Sequence, residues 1–590
     1  MGFVDSRRLT GPNVYFSLVG VVLETRGTVP DAARLRVWQT NVESVALALS
    51  WPAPEWVQHM HAKGATLGFT APFDQLYLAT EINEWAWLSA CGESEYFAPA
   101  HLSSVDVECA MQTIRRISAF EAEPALIAFL AAAKLTAWPV LVDDETLSIG
   151  YGSATQQWPR NAPATLSVLQ NVAPPRIPVA MVTGSNGKTT SVRLLAAMAR
   201  AAGLASGHNC TDGLFFNGQL IEADDYSGPA GARATLRHPG VQAAILETAR
   251  GGLLRRGLAC SDADVALVTN ISEDHFGEYG VFSLDDLAEV KLSVLRGVKP
   301  GGYLVLNAGD PMLVKHGRGK TEQAAWFSDD WLNPDLQRAL QIDAPVCAVK
   351  AGRLCLQVFG QQHDLGAIAD MPLSFGGVAR YNIENMAGAA LTAFLLGFPI
   401  LAIMQTLQQF GAQHADNPGR LQSWQFADIR VMMDYAHNPE GMHGFLAIAR
   451  ALKKTGRLAV LLGQAGNRED ADIRKLAATV AQARPDFVVL KDMVGYERGR
   501  QAGEVPAILH EALQVGGIPE SAIAICLDEL EAVAKLLAWA LPGDVLALPV
   551  HGLRERSAVQ TLLDAMQTQH WRAGQTLPEM SVLPESHDKA

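Results

Sequence analysis

The sequence predicts a multi-domain α/β protein: a small α+β N-terminal domain, a central parallel-sheet domain of the P-loop type, and a Rossmann-like α/β C-terminal domain. Three observations support this fold class. An apolar strand at residues 179–183 runs directly into a glycine-containing turn and a stretch with helical spacing. Short apolar runs ending in polar residues then alternate with helical patterns, which is typical of parallel sheets. A second alternation of this kind begins near residue 416.

Length and proline content suggest where the chain divides. A chain of 590 residues is long enough for three or four domains of roughly 150 residues each. Residues 171–178 contain three prolines and indicate an extended linker. We predict domains at 1–170, 171–415 and 416–575, followed by a polar tail at 576–590.

Composition excludes several classes of function. The chain is 49% hydrophobic and 18% charged, which describes a folded protein, and its net charge is −14. That charge argues against nucleic acid and against an anionic membrane surface as partners. Its seven cysteines are scattered and never in Cys-x-x-Cys spacing, so a reducing compartment is expected, with neither a disulfide framework nor a zinc site. The N-terminus lacks the apolar core of a secretion signal, and we expect a cytoplasmic protein.

One uncharged run, residues 386–404, is long enough to raise the question of a membrane span. Gly397 and Pro399 interrupt it, and both flanks are polar. Because proline breaks a helix, we predict two buried helices that meet at Pro399.

The loop after the first strand of the central domain has the chemistry of phosphate binding. Its glycines let backbone N–H groups face anionic oxygens, its lysine supplies a cation for the β- and γ-phosphates, and a hydroxyl is placed to bind Mg²⁺. The following helix would place the phosphates at a helix N-terminus. Val182 stands where the first glycine of the standard motif belongs, and a glycine-rich turn without a ligand is the alternative. The residues predicted to contact nucleotide phosphates are Gly184, Ser185, Asn186, Gly187, Lys188, Thr189 and Thr190.

Four further polar clusters lie at predicted strand or helix ends. Glu247 ends a strand and could be an Mg²⁺ ligand, although a helix cap or a surface acid is the alternative. His275 follows the next strand and could reach a metal or simply stabilise a turn. Asn382 and Asn385 carry amides suited to an adenine edge or to a helix start. Asp434 ends the first strand of the last domain, where a turn former is also common.

Together and in this order, these motifs resemble those of the Mur ligase superfamily of ATP-dependent amide-forming ligases. The resemblance is closest to the ligase half of cyanophycin synthetase, and it lies in residues 211–218, 225–229, 247–257, 306–311 and 499–500. The N-terminal 170 residues resemble the N-terminal domain of that enzyme through residues 8–13 and 148–152.

The sequence also departs from that pattern. Cyanophycin synthetases carry an ATP-grasp domain between the two parts, and here the segment between Gly152 and Pro178 is too short for one. We therefore do not expect this chain to elongate an aspartate backbone. Residues 466–468 are Gly-Asn-Arg where the resemblance leads us to expect Gly-Asp-Arg, which affects contacts to the acceptor more than the ATP site.

The resemblance implies the cofactors ATP and Mg²⁺ and a role for each candidate residue. Lys188 would neutralise charge on the transferred phosphoryl group. Thr189, Glu247 and His275 would hold metal ions. Lys291 falls where many Mur ligases carry a lysine carbamylated by CO₂, and an exposed helix lysine is the alternative.

The resemblance assigns the rest of the nucleotide to other side chains. Asn382 and Asn385 would hold adenine, Arg420 a phosphate, and Asp434 the ribose hydroxyls across a closing domain interface.

Two classes of function fit these expectations. One is an active ligase that joins a basic amino acid such as arginine to an aspartyl or cyanophycin-like acceptor. The other is a non-catalytic, polymer-binding partner of a full-length cyanophycin synthetase. In the ligase, the N-terminal domain would hold the acceptor near the active site by raising its effective concentration. In the non-catalytic partner, the N-terminal domain would bind the polymer. A homo-oligomer is compatible with the sequence.

Overall fold

The computed structural model describes residues 2–92, 107–136, 138–170, 176–273, 276–453 and 455–578. The chain forms two compact units. The first comprises Met1–Ile271, Phe276–Gly366 and Glu384–Thr406, and the second comprises Ser272–His275, Ala367–Ile383 and Leu407–Ala590.

Two predicted segments fall largely outside the described residues. Of the linker at 171–178, only residues 176–178 are described. Of the tail at 576–590, only residues 576–578 are described, and they form neither helix nor strand. The three predicted boundaries, after residues 170, 415 and 575, therefore stay predictions.

The first unit begins with an antiparallel sheet and four helices. Its strands are β1 (Phe3–Leu9), β2 (Gly20–Thr25), β3 (Trp56–His61) and β4 (Gly64–Thr70), and its helices are α1 (Ala32–Ala48), α2 (Leu76–Ala90), α3 (Val107–Glu121) and α4 (Pro124–Ala133). The strand order is β1-β2-β4-β3, with all neighbours antiparallel. Trp38, Phe69 and Trp85 are fully buried in its core, where large aromatic side chains contribute much of the buried apolar area.

A small three-stranded sheet follows. Its strands are β5 (Val140–Val142), β6 (Thr146–Ile149) and β7 (Gln156–Pro159), paired antiparallel in that order. Residues 143–145 join β5 to β6. With the first sheet and its helices, this sheet gives the N-terminal part its α+β character.

An eleven-stranded sheet forms the centre of the first unit. Its strands are β8 (Val179–Thr183), β9 (Ser206–Cys210), β10 (Gly213–Phe216), β11 (Gln219–Glu222), β12 (Ala243–Glu247), β13 (Ala263–Val268), β14 (Val298–Asn307), β15 (Ala324–Ser328), β16 (Val346–Lys350), β17 (Arg353–Val358) and β18 (Gln361–Ala367). Their order is β11-β10-β9-β12-β8-β13-β14-β15-β16-β17-β18. The seven neighbouring strands from β9 to β16 in this order are parallel. Strands β8 and β12 are buried along their whole length, as expected of a parallel sheet with both faces covered.

Helices cover this sheet and join its strands. They are α5 (Lys188–Ala201), α6 (Pro229–Arg237), α7 (Arg250–Arg255), α8 (Leu284–Leu292), α9 (Pro311–Gly317), α10 (Pro334–Gln341), α11 (Arg380–Leu395) and α12 (Ile400–Gln409). Because β8 lies between β12 and β13 and runs parallel to both, the carboxyl ends of these three strands meet at one edge of the sheet.

The second unit contains a six-stranded sheet. Its strands are β19 (Gln422–Phe426), β20 (Ile429–Asp434), β21 (Leu458–Leu462), β22 (Phe487–Leu490), β23 (Ile523–Ile525) and β24 (Val545–Pro549), and its helices are α13 (Pro439–Leu452), α14 (Asp470–Gln482), α15 (Glu504–Val515), α16 (Glu529–Trp539) and α17 (Leu553–Thr568). The order is β19-β20-β24-β21-β22-β23, parallel except for the β19–β20 hairpin. The alternation of strands and helices predicted to begin near residue 416 is thus confirmed.

The uncharged run at residues 386–404 is divided between two helices. Helix α11 ends at Leu395 and α12 begins at Ile400, with Gly397 in the left-handed conformation at a φ of 87°. The predicted break before Pro399 is thus confirmed. Within the described residues, no helix has both the length and the apolar character needed to cross a membrane.

Candidate active site

The loop after β8 requires glycine at two positions. Gly184 and Gly187 have φ angles of 147° and 82°, a region that disfavours other residues. A β-carbon at Gly184 would collide with the Thr269 hydroxyl, and one at Gly187 would collide with the Asn385 side-chain amide. Gly187 is the residue that precedes the first turn of α5. The two glycines therefore allow the close approach of neighbouring elements to this loop.

The polar end of β13 fixes the loop in place. The Asn186 N–H donates to the Asn270 side-chain oxygen at 2.8 Å, and the Ser185 N–H donates to the Asn270 carbonyl at 3.0 Å. In return the Thr269 hydroxyl donates to the Asn186 carbonyl at 2.6 Å. These bonds hold the loop backbone in one conformation, which is what an electrostatic phosphate site requires.

Two lysines donate to the carbonyl oxygens of the loop. Lys188 Nζ lies 3.0 Å from the carbonyl oxygens of both Gly184 and Ser185. Lys291 Nζ donates to the same Gly184 carbonyl at 2.8 Å. Lys291 is only 2% exposed, so the alternative of an exposed helix lysine is wrong. Its carbamylation stays a prediction, and the amine lies beside the phosphate loop.

Glu247 is a buried carboxylate that accepts two hydroxyl hydrogen bonds. Its Oε2 accepts from the Thr189 hydroxyl at 2.8 Å, and its Oε1 accepts from the Thr211 hydroxyl at 3.0 Å. It is 1% exposed, and the residue that caps α7 is Ala249. Both alternatives for Glu247, a surface acid and a helix cap, are therefore wrong. The structure brings the predicted pair of Thr189 and Glu247 into direct contact.

A buried ion pair places the Thr211 turn. Arg193 on α5 donates to the Asp212 carboxylate at 2.7 Å, and both side chains are about 5% exposed. Since Thr211 precedes Asp212, this pair holds the Thr211 hydroxyl toward Glu247. Thr211 belongs to one of the motifs that carry the family resemblance, at residues 211–218, but was not among the predicted site residues.

His275, predicted as a metal ligand, lies outside the described residues. The chain leading toward it is anchored by Asp310, whose carboxylate accepts from the Ile271 N–H at 2.6 Å and from the first N–H groups of α9. Burial raises the pKa of Asp310, and these backbone N–H groups oppose that shift. Within the described residues, no three His, Cys, Asp or Glu side chains converge as a metal cluster.

The two asparagines predicted for adenine lie one turn apart on α11 but belong to different units. Asn385 is buried with its amide against Gly187 of the phosphate loop. Asn382 is buried in the second unit, and its amide nitrogen donates to the Leu373 carbonyl at 3.1 Å.

Arg420 and Asp434 lie close together within the second unit. Asp434 accepts from the Leu421 N–H at 2.7 Å, and the Arg420 guanidinium lies 4.4 Å from the centre of the Tyr435 ring. Burial raises the pKa of Asp434 to about 6, although the charge of Arg420 opposes the shift. The structure thus groups Arg420 with Asp434, and it groups the loop with Glu247, Lys291 and Asn385.

A buried polar cluster in the second unit was not predicted from the sequence. Lys491, which follows β22, is fully buried and donates to the Glu529 carboxylate. Its Nζ also lies 3.1 Å from His551 Nδ1, and the His551 ring contacts the Ala436 carbonyl through Nε2 at 3.1 Å. The cluster therefore connects the ends of β22 and β24 and the start of α16 to the turn that follows Asp434.

Two family comparisons match the two parallel-sheet parts of the chain. Residues 182–393 match the Mur ligase middle domain, and residues 419–548 match the Mur ligase glutamate ligase domain. The two ranges together cover more than half of the chain, and residues before 182 lie outside both.

Individual proteins resemble the same region. The chain is 33% identical over 386 residues to the cyanophycin synthetase of Synechocystis sp. (strain PCC 6803), which is 65% of this chain and 44% of that protein. It is 27% identical over 381 residues to the UDP-N-acetylmuramoyl-L-alanyl-D-glutamate–2,6-diaminopimelate ligase of Ectopseudomonas mendocina, covering 63% of this chain and 72% of that protein. The chain therefore spans less than half the length of the cyanophycin synthetase that it matches.

Among solved structures, E. coli FolC in complex with ADP is similar with a TM-score of 0.48 and 19% identity, over 66% of this chain and 90% of that one.

Proposed function

Because the chain belongs to the Mur ligase family, we propose that it is an ATP-dependent ligase that joins a carboxylate to an amine through an acyl phosphate. The observation that carries this proposal is the contact of the Thr189 hydroxyl with the buried Glu247 carboxylate, directly after Lys188 and its glycine loop. A loop, a lysine, a hydroxyl and a carboxylate at one sheet edge form the set of groups that handles a nucleoside triphosphate with Mg²⁺.

The residues present fit Mg²⁺. The ion prefers oxygen ligands and is usually held by one or two protein groups together with substrate phosphates. Thr189 and Glu247 offer a hydroxyl and a carboxylate oxygen in contact with each other, and Thr211 orients the second carboxylate oxygen. When bound, the ion would neutralise charge on the β- and γ-phosphates. His275 remains our proposal for a second metal.

The proposed reaction has two steps. An oxygen of the acceptor carboxylate attacks the γ-phosphorus, the bond to ADP breaks, and an acyl phosphate forms. The amine nitrogen then attacks the acyl carbon, phosphate leaves, and the amine loses a proton. Lys188 would turn from the loop carbonyls to the phosphate oxygens, where its charge stabilises the transferred group.

The remaining contacts follow the family pattern. We assign loop residues 184–190 to the phosphates and Lys291 to a position beside them. Asn382 and Asn385 are assigned to adenine, Arg420 to a phosphate, and Asp434 to the ribose hydroxyls. The closeness of the Asn385 side chain to Gly187 would equally suit a role in shaping the loop.

For substrates, we propose a basic amino acid such as arginine as the amine and an aspartyl or cyanophycin-like chain as the acceptor. Support comes from the 33% identity to a cyanophycin synthetase. The test is purified protein with ATP, Mg²⁺, a panel of amino acids and β-aspartyl acceptors, scored for phosphate release and amide formation. Turnover that needs both substrates supports the ligase. Polymer binding without turnover in any combination would favour the non-catalytic partner of a cyanophycin synthetase instead.

We expect Glu247→Gln to raise the Mg²⁺ concentration needed for half-maximal activity by about tenfold or more, because a neutral amide is a poorer ligand for a hard cation. His275→Ala should act in the same direction. A magnesium titration of activity measures both. Glu222→Gln, at an exposed carboxylate on β11, is the matched control. Titration curves that coincide with the control would reduce Glu247 and His275 to structural residues.

Nucleotide affinity should depend on the ionisation of Asp434. Its pKa is raised to about 6, and only the ionised carboxylate can accept hydrogen bonds from both ribose hydroxyls. ADP affinity, measured by calorimetry, is therefore expected to rise between pH 5 and pH 7. The midpoint of this rise should lie near the Asp434 pKa of about 6. Asp434→Asn should bind weakly with a flatter profile, whereas Asp428→Asn at an exposed turn should keep the wild-type profile. A steep profile that survives in Asp434→Asn would contradict the ribose assignment.

A further inference from the structure

A small cavity lies within the first unit, where the N-terminal part meets helices of the central sheet. Its volume is about 50 Å³. Arg8 on β1 and Tyr77 on α2 line one side, and Arg233 on α6 and Arg256 after α7 line another. Asp143, in the turn between β5 and β6, also lines the cavity. The cavity is far smaller than the roughly 300–1,000 Å³ of sites for whole small molecules, so it suits a single polar group.

The guanidinium groups around this cavity are incompletely neutralised. Arg8 is 9% exposed, lies 3.5 Å above the Tyr77 ring, and has its carboxylate partner, Asp144, at a distance of 3.5 Å. Arg233 lies 3.8 Å from Asp143. These distances are long for charge-assisted hydrogen bonds, which are about 2.7–2.9 Å.

Three carboxylates line the cavity, those of Asp74, Asp143 and Asp144, and the first two are engaged elsewhere. Asp74 accepts from the Glu123 N–H at 2.9 Å. The Asp143 carboxylate binds Arg237 and accepts from the N–H groups of Glu145 and Thr146. Within the part of the chain that the structure describes, no carboxylate pairs with Arg256. The cavity therefore has more guanidinium donors than acceptors to match them.

The protonation of Arg233 agrees with this imbalance. Burial lowers its pKa, the nearby Arg237 and Arg256 lower it further, and Asp143 and Asp144 oppose the shift without cancelling it. A bound anion would remove that electrostatic cost.

We propose that this cavity binds a small oxyanion, either a carboxylate or a phosphate group. Guanidinium groups match both in shape and donate two parallel hydrogen bonds to either. Because Arg8 belongs to the N-terminal part and Arg233 and Arg256 belong to the central part, one anion would bridge the two. Ligand that binds only the folded state stabilises it, so anion binding should raise the unfolding temperature.

The test is thermal unfolding of the full chain in chloride buffers of constant ionic strength, with sodium phosphate or sodium succinate replacing part of the chloride. Measurements are made in a Lys188→Ala background to weaken binding at the phosphate loop. We expect a saturable rise in the unfolding temperature of this parent. Arg233→Gln and Arg256→Gln should weaken the apparent affinity about tenfold or more, since each removes a hydrogen bond between charged groups.

Arg36→Gln, at an exposed arginine on α1, is the matched control and should respond as the parent does. General salt effects act on all variants alike. Without the anion, Arg233→Gln should unfold at a temperature no lower than that of the parent, because the substitution removes a buried charge. If Arg233 were purely structural, its loss would lower the unfolding temperature in every buffer. Arg256 is exposed, so Arg256→Gln is expected to leave the fold intact and provides a second variant.

A response to phosphate alone, to succinate alone or to both supports the site and identifies its ligand. Equal responses in the parent, Arg233→Gln and Arg256→Gln would overturn the proposal, as would no saturable response to either anion. None of these readouts needs turnover, so the outcome is independent of the proposed ligase activity.

Discussion

Replacing Lys188 by alanine is expected to reduce ATP turnover by more than about a hundredfold, the scale of removing one preorganised charge from a transition state. The lysine donates to two carbonyls of its own loop and does not pack in a core. The fold should therefore survive the substitution. The measurement is the rate of phosphate release with amine and acceptor present, together with the circular dichroism spectrum.

Lys134→Ala, at an exposed lysine of the N-terminal part, serves as the control for removing a positive charge. If Lys188→Ala and Lys134→Ala both release phosphate near the wild-type rate, the loop does not bind the transferred phosphate.

Replacing Glu529 by glutamine should lower the stability of the second unit by about 3–5 kcal/mol, because it leaves a buried lysine without its counter-charge. Lys491 is fully buried, and burial lowers its pKa while Glu529 raises it. Glu529 also accepts from the His551 N–H at 3.1 Å. Hydrogen exchange of residues 487–490, the strand that precedes Lys491, reports this loss locally.

Glu531→Gln, on the exposed face of the same helix, is the matched control. Exchange rates in Glu529→Gln that equal those of the control would show that the Lys491 charge is satisfied by other groups.

The sequence predicted the phosphate loop because its signal is local. Gly184, Gly187 and Lys188 lie within five consecutive positions, and the helix they precede follows at once. The apolar strands were predictable for the same reason, since burial on both faces leaves a continuous apolar run. Glu247 was predictable as a strand-end carboxylate, and its partner Thr189 came from the loop motif.

The contacts between distant segments could not be predicted. Lys491, Glu529 and His551 come from three separate elements, and no spacing in the sequence relates them. Thr211 was equally hard to predict, because its contact with Glu247 depends on a turn that the Arg193–Asp212 pair holds in place.

The two N-terminal motifs have structural contacts that could not be predicted from the sequence. Within residues 8–13, the Pro12 carbonyl accepts from the Leu258 N–H at 2.7 Å. Within residues 148–152, the Tyr151 hydroxyl donates to Asp262 at 2.6 Å. Both motifs therefore fasten the N-terminal part to the central sheet. Deleting residues 1–170 would expose this surface, so the acceptor-holding role stays a prediction that point variants must test.

The most direct test of the ligase mechanism follows the oxygen atoms. The purified chain is incubated with ATP, Mg²⁺, arginine and an aspartyl acceptor whose carboxylates carry ¹⁸O, and the released phosphate is analysed by mass spectrometry. An acyl phosphate predicts ADP as the other product and one ¹⁸O atom in each phosphate released with amide formation. Unlabelled phosphate, or AMP and pyrophosphate in place of ADP and phosphate, would contradict the mechanism proposed for this protein.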